Sequence, residues 1–171
     1  MSKNVIKRHQ IADYLNVGTS DTPSWVLMGA GFTAINESPG AQTETVKYVN
    51  DVSSSTSVVS YQTQFPFEAE HISTEEAIDL IYSIARNHNV GEDAETEYVR
   101  VELWRPVEDS TTLFTARKFT VSVEVSDVEG ETKMELSGNL NAVGDPVDGY
   151  FDVSSKIFTA LDDEEEENPL T

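Results

Sequence analysis

Cysteine is absent from this sequence of 171 residues, and histidine occurs only three times. Without cysteine, disulfides, thiolate nucleophiles and zinc sites built on sulfur are excluded. His9, His71 and His88 lie far apart along the chain, so no pair of histidines has the spacing of metal ligands. The composition therefore predicts no metal site, and stability has to come from packing or from assembly.

Long apolar runs are also missing. No window approaches the roughly 18 apolar residues that a membrane-spanning helix needs. The N-terminus MSKNVIKRHQ lacks the apolar stretch of a secretory signal. We therefore expect a soluble chain that is synthesised in the cytoplasm and has no membrane partner. Its length fits one domain, since a single core typically organises about 100 to 200 residues.

Positive charge is scarce. The sequence has 11 basic and 31 acidic residues, which gives a formal net charge of −20. A DNA duplex carries about one negative charge per 1.7 Å of its axis, so a surface this acidic repels it. Tight or specific binding of nucleic acid is therefore not expected.

Motifs of catalysis are absent as well. The nucleophile motif Gly-x-Ser-x-Gly does not occur, and the serines of Ser53–Ser55 have no histidine or lysine near them in sequence. Gly29-Ala30-Gly31 lacks the third glycine and the following helix of a dinucleotide fingerprint. Carboxylates alternate with apolar residues, as solvated strand faces do. The sequence predicts no enzyme activity and no cofactor.

An alternation with period two dominates the chain after Glu95. Phe119, Val121, Val123 and Val125 share one face of such a segment, which is the pattern of a strand with one buried side. Glu129-Gly130 predicts a hairpin turn, and Gly144-Asp145-Pro146 predicts another break. The fold class is therefore mostly β, an antiparallel sandwich or barrel.

One helix is predicted over about residues 73–90. Ser73 or Thr74 can cap its start, and Ser73 with Glu76 fits a capping box. Aliphatic residues then recur at helical spacing, and Gly91 is a plausible end. This apolar stripe predicts packing against a core.

A long hairpin is predicted within residues 36–66. The segment Thr43–Asn50 alternates, DVSSST reads as a loop, and the chain returns through a strand with Val59, Tyr61 and Phe65 on one side. In a monomer these apolar residues would form a patch in water, a feature that usually marks an interface.

The remaining segments complete the predicted organisation. Residues 1–24 read as a polar N-terminal arm, residues 25–161 as one domain that opens with a strand over Trp25–Ile35, and residues 162–171 as a disordered acidic tail.

This layout resembles the tail tube proteins, also termed major tail proteins, of long-tailed bacteriophages that infect Gram-positive bacteria. The resemblance covers nearly the whole chain and lies in the order of its segments, not in a motif. The segments that carry it are the polar arm, the opening strand Trp25–Ile35, the hairpin Thr43–Phe65 with its serine-rich tip, the lone helix Thr74–Asn87 and the terminal strands Tyr150–Leu161. The acidic segment after Asp162 has no equivalent that we can place.

The resemblance implies a structural subunit that closes into rings, commonly hexameric, which stack into a hollow tube for DNA delivery. It implies a homo-oligomer in the virion, assembled in the host cytoplasm with tail tip or initiator, tape measure and tail terminator proteins. DNA would pass through the lumen without specific binding. The hairpin would dock on the next ring, through residues that include Val46, Tyr48, Val49, Val58, Val59 and Tyr61.

Two further sets of residues follow from this interpretation. The basic residues Lys3, Lys7 and Arg8 of the arm would contact a neighbouring copy. Acidic strand residues would line the lumen and keep DNA from adhering, with Glu97, Glu102, Glu124 and Glu135 as candidates whose facing depends on strand register.

Two alternatives stay open at the level of sequence. One is the inner tube of a contractile tail or of a phage-tail-like bacteriocin. The other is a monomeric β-sandwich binding module, which would need aromatic residues clustered on one exposed face. Trp25, Trp104 and the tyrosines are instead dispersed among the strands, and we expect them to fill the core.

Overall fold

The structure is a computed structural model and describes residues 3–161. The predicted acidic tail, residues 162–171, lies outside the described residues. Within the described part, no helix is long and apolar enough to cross a membrane. The strands are β1 (Ile11–Asn16), β2 (Trp25–Leu27), β3 (Phe32–Ile35), β4 (Ala41–Val46), β5 (Ser55–Tyr61), β6 (Gln64–Glu70), β7 (Glu95–Pro106), β8 (Leu113–Glu129), β9 (Glu135–Ala142), β10 (Val147–Asp152) and β11 (Ile157–Ala160), and the α-helix is α1 (Glu76–Arg86).

Nine strands form one antiparallel sheet, in the order β2-β1-β7-β8-β9-β6-β3. The long strand β8 pairs along one edge with β7. Its other edge pairs with β10 over its first half and with β9 over its second, and β11 follows outside β10. The sheet curls into a half-barrel, so the predicted class, mostly β and antiparallel with one packed helix, is confirmed.

Each face of the curled sheet carries a core. On the face where α1 packs, the helix face, the predicted stripe of β8 is confirmed, because Phe119, Val121 and Val123 are buried there beneath Ile78 and Ile81 of the helix. The other face, the open face, carries a smaller aromatic core in the half of the sheet formed by β1, β2, β7, β8 and β10. Its buried residues are Tyr14, Trp25, Val99, Val101, Ala116 and Phe151.

The N-terminal arm is shorter than predicted, because strand β1 begins at Ile11 within the predicted range 1–24. Asp13 and Leu15 are buried on the helix face, and Tyr14 and Asn16 are buried on the open face. A strand that is buried on both sides need not alternate between apolar and polar residues. The sequence therefore shows no period there, and the strand that begins within the predicted arm was not foreseen.

The predicted opening strand Trp25–Ile35 is interrupted, and its two halves are β2 and β3. Gly31 adopts φ 87°, a left-handed conformation that favours glycine, and a Cβ there would lie 2.6 Å from Cδ1 of Ile78. The chain turns at this point, so β2 pairs with β1 while β3 pairs with β6 at the opposite end of the sheet order. The terminal strands predicted over Tyr150–Leu161 correspond to β10 and β11, and β10 begins earlier, at Val147.

The helix is also shorter than predicted, and it begins without a side-chain cap. Glu75 occupies the N-cap position, and neither Ser73 nor Thr74 caps the helix. The backbone N–H of Glu75 donates to the carbonyl oxygen of Ile72 at 3.1 Å, so the preceding residues form a turn of their own. The helix ends at Arg86, before the left-handed residues His88 and Gly91.

Candidate functional site

The hairpin of β4 and β5 is a separate two-stranded sheet that pairs with no other strand of the described chain. Every residue of both strands is exposed. An isolated two-stranded hairpin is marginally stable in water, because neither of its faces is covered. The predicted hairpin is therefore present and projects from the body, although both strands are shorter than expected.

Register divides the hairpin into two chemically different faces. Tyr61 pairs with Ala41, Val58 with Thr43 and Thr56 with Thr45, so these six residues share one side. We term this side the apolar hairpin face, because its largest side chains are those of Val58 and Tyr61. The opposite side carries serine, glutamine, glutamate and one valine, namely Gln42, Glu44, Val46, Ser55, Ser57 and Ser60. A register shift between Gln42 and Thr43 leaves Val59 unpaired at a bulge.

The bulge changes two of the predicted neighbours. Val59 was expected on the same side as Tyr61 and Phe65, and the shift moves Val58 there instead, since the side-chain period along a strand is two. Phe65 does not belong to the hairpin, because it lies in β6 and is fully buried on the helix face. The hairpin ends at Tyr61, which is 64% exposed.

The six predicted contact residues of the hairpin are all exposed, but they do not lie on one surface. Tyr48 and Val49 are in the distal loop, where Val52 is exposed beside them. Val46 lies on the polar side, while Val58 lies on the apolar hairpin face. Their exposure is observed, and their contact with another copy stays a prediction.

The base of the hairpin is closed by the backbone. The N–H of Gln62 donates to the carbonyl oxygen of Gly40 at 2.9 Å, and Ser38 and Gln64 exchange two further backbone bonds of 2.8 Å. Gly40 has φ 64°, and a Cβ there would lie 2.1 Å from the carbonyl oxygen of Gln62, so this position requires glycine. Just before the base, Arg117 donates to Glu37 at 2.6 Å.

The predicted lumen acids lie on both faces of the sheet. Strand register places Glu97 and Glu124 on the open face. Glu135 lies on the same face, because it precedes Leu136, which is buried on the helix face. Glu102 pairs with Thr115 and Ile11 on the helix face, where Arg105 donates to it at 2.9 Å. The register therefore groups three of the four candidates and separates Glu102 from them.

Sequence reasoning missed other acids on the same open surface. Glu68, Glu70 and Glu95 share the open face with these three by register. Two lysines moderate the charge, since Lys118 lies 3.5 Å from Glu97, and Lys133 contacts Glu70. These ion pairs are partly or well exposed, so each contributes little to stability. The part of the open face away from the aromatic core is therefore strongly acidic.

The predicted arm residues differ in their surroundings. Lys3 and Lys7 are exposed, and the backbone N–H of Lys7 donates to Gln10 at 2.8 Å. Arg8, in contrast, contacts its own chain: Asp13 at 2.6 Å, the carbonyl oxygen of Ile11 at 3.0 Å and that of Ile35 at 3.3 Å. Its guanidinium therefore joins the edges of β1 and β3, which do not pair with each other.

Asp13 is also the centre of a buried polar network. Tyr98 donates its hydroxyl hydrogen to Asp13 Oδ1, and Arg100 donates to the same oxygen at 3.3 Å. Burial raises the pKa of the Tyr98 hydroxyl well above its ordinary value, and the negative charge of Asp13 raises it further. Arg8 contacts the second oxygen of Asp13 from the solvent side. The charge of Asp13 is therefore neutralised by Arg8 and Arg100 of the same chain.

A groove lies beside this network, between the edges of β1 and β3. It has a volume of about 800 Å³ and contains Arg8, His9 and Asp13 at its polar end. The rest of its lining is largely apolar and includes Ile11, Tyr14, Leu27, Met28, Phe32 and Ile35. Most of these residues come from WVLMGAGFTAI, which was predicted as the opening strand of the domain. The paired glycines were the available signal that the strand breaks and leaves an opening there.

The tryptophans and tyrosines, which were predicted to fill the core, are buried only in part. Trp25, Tyr14 and Tyr98 are buried, as expected of core residues, whereas Tyr48 and Tyr61 are exposed on the hairpin. Within residues 3–161, no group of three or more histidine, aspartate or glutamate side chains could hold a metal ion. The described surface offers apolar and acidic areas to a partner.

Similarity to known proteins is found among solved structures. No family model matches the chain, and no curated protein matches it. Among solved structures, the chain is similar to one in the cryo-EM structure of the anti-feeding prophage (AFP) baseplate, 6-fold symmetrised. The identity is 9% and the TM-score 0.49, over 90% of this chain and 99% of that one.

Proposed function

We propose that this chain is a structural subunit that self-assembles into stacked rings, forming the hollow tube of a phage tail or a phage-tail-like particle. The observation that carries the proposal is the isolated hairpin. Within the part of the chain that the structure describes, its strands have unpaired outer edges and its apolar hairpin face is exposed. Unpaired edges and exposed apolar side chains are features that contacts between copies cover.

The curled body supports the same role. Identical copies that contact one another head to tail form a ring when the rotations between successive copies add up to a full turn. Edge strands can pair across such contacts. Among the described strands of the body, the free edges of β2 and β11 offer this possibility. In this proposal the function is assembly, without catalysis and without a cofactor.

The acidic part of the open face is proposed to line the lumen. Glu97, Glu124 and Glu135 would face passing DNA together with Glu68, Glu70 and Glu95, and their charge would keep the duplex from adhering. Glu102 leaves the proposed set, because its register places it on the helix face. In this proposal the chain is a component of the virion or of the phage-tail-like particle.

The deciding experiment is negative-stain electron microscopy with light scattering over a range of concentrations. The test variant removes residues 41–61 and joins Gly40 to Gln62, which already share a backbone hydrogen bond. Strand β6, which the core needs, is left intact. We expect rings or tubes from the intact chain and a folded, unassembled protein from the deletion.

The control keeps the hairpin and changes an exposed apolar residue of the body, Val90→Ser. We expect this variant to assemble like the intact chain. A chain that remains monomeric at every concentration, also after addition of tail-tip components as initiator, would overturn the proposal. Retention of that monomer on a glycan or peptide column would favour the binding module instead.

A further inference from the structure

Two apolar surfaces of the chain are open to water and lie on different parts of the fold. The apolar hairpin face presents Val58, 53% exposed, and Tyr61, 64% exposed. The groove presents Leu27, 51% exposed, at an opening lined mainly by aliphatic and aromatic side chains. None of the residues that line the groove belongs to the hairpin of the same chain. Both surfaces are therefore available in the single chain.

The groove is suited to side chains and not to an added strand. Arg8 donates through one terminal nitrogen to the carbonyl oxygen of Ile11 and through the other to that of Ile35. One guanidinium therefore spans the seam between the two strand edges, whereas an inserted strand would need about 4.8 Å on each side. The volume of about 800 Å³ falls in the range of pockets that receive bulky apolar groups.

Charge favours contact between these two surfaces. Copies of a chain with a formal net charge of −20 repel one another, so close contact requires areas poor in uncompensated acid. The hairpin segment 41–61 contains two acidic residues, Glu44 and Asp51, and Glu44 lies on the side opposite the apolar hairpin face. Among the described residues that line the groove, Asp13 is the one acid, and it is paired with Arg8 and Arg100.

We propose that the groove between β1 and β3 is the docking site for the apolar hairpin face of a second copy, with Val58 and Tyr61 seated near Leu27. This inference rests on the proposed function, since it names the surface on which the hairpin docks. The contact is heterologous, because the hairpin of one copy meets the groove of the next. The groove of the first copy and the hairpin of the second stay free to contact further copies.

The absence of cysteine makes a direct test possible. In the double variant Val58→Cys with Leu27→Cys, the introduced thiols are the only ones in the chain. A short bifunctional maleimide is added under assembling conditions, and the products are separated by denaturing electrophoresis. We expect a ladder of dimers, trimers and larger species, since each copy carries one thiol on its hairpin and one at its groove.

The matched control pairs Val58→Cys with Val90→Cys, an exposed valine that does not line the groove. We expect at least about tenfold less cross-linked product from this pair. A second measurement uses Leu27→Asp, which we expect to raise the concentration needed for assembly about tenfold or more, while Val90→Asp leaves it unchanged.

The outcomes separate this inference from the proposed function. If the unsubstituted chain assembles but the 27–58 pair gives no more product than the 58–90 pair, the groove is not the docking site, and the proposal of a tube subunit stands. If the unsubstituted chain does not assemble under any condition tested, both fail. A ladder confined to the 27–58 pair, together with the effect of Leu27→Asp, supports the groove.

Discussion

The hairpin and the body of this chain use similar strand-forming residues with opposite results. Tyr61 and Phe65 are four positions apart, yet the first is 64% exposed in the isolated hairpin and the second is fully buried in the main sheet. The body places its strands against α1 and against an aromatic core, whereas no part of residues 3–161 covers either side of the hairpin. A strand pattern in sequence therefore identifies a side that can be buried, and the tertiary structure decides whether it is.

The largest expected difference between the two regions concerns these two aromatic residues. Phe65→Ala should lower the free energy of unfolding by about 3 to 5 kcal/mol, because it leaves a cavity between Tyr98 and Phe119. Tyr61→Ala should change it by less than about 0.5 kcal/mol. Urea unfolding followed by circular dichroism measures both values. Similar losses in the two variants would show that the hairpin packs on the body.

A second prediction addresses the buried network of the body. Asp13→Asn should cost about 3 kcal/mol of stability, because Arg100 then keeps a buried charge without its partner. The exposed acid Asp21 provides the control, and Asp21→Asn should be neutral within about 0.5 kcal/mol in the same urea titration. Equal stability of the two variants would contradict a role for the network in holding β1 against β7.

The third prediction is a dependence of stability on alkaline pH. The pKa of Tyr98 is raised in the folded chain, so above about pH 10 the unfolded chain loses this proton while the folded chain retains it. Stability should be fully present below about pH 10 and then fall by up to about 1.4 kcal/mol per pH unit. Tyr98→Phe should remove this part of the slope, measured by urea unfolding between pH 9 and 11. An unchanged slope in the variant would assign the dependence to other groups.

The smallest effect is expected inside the hairpin itself. Thr45 and Thr56 face each other with their hydroxyl oxygens 2.9 Å apart, and Thr45→Ala should change global stability by less than about 0.5 kcal/mol. Hydrogen exchange should nevertheless show faster exchange of the hairpin amides in the variant, since such a ribbon opens locally. The amides of β7 and β8 serve as the internal reference. Exchange of hairpin and reference amides at the same rate would mean that the two regions unfold as one unit.

The regions that sequence predicted well are those with one buried side. The stripe of β8 and the apolar stripe of α1 follow from a period that survives because one face meets water, and the turn between β8 and β9 was predicted from the residues Glu129-Gly130. Strand β1 was missed because Asp13 and Asn16 are buried with their hydrogen bonds satisfied inside the fold. Nothing local in the sequence distinguishes such residues from polar loop residues.

The candidate site was predictable in its location and not in its faces. The hairpin follows from alternation around a serine-rich loop, but the bulge at Val59 that brings Val58 beside Tyr61 has no local signal. Glu102 and Glu124 alternate with apolar residues in the same way, and only the paired strands separate them. The groove needs β1 and β3 to lie side by side, and they are distant in the sheet order. Such long-range proximity is not readable from one sequence.

The hydrogen bond between Gln62 and Gly40 has a consequence for how this chain can change over evolutionary time. Because the body is already joined across the base of the hairpin, insertions and deletions beyond that point need not disturb the core. The hairpin can therefore vary in its length and in its tip while the body stays constant. With the docking proposed above, exchanging the hairpins of two related chains should also exchange which chain each of them assembles with.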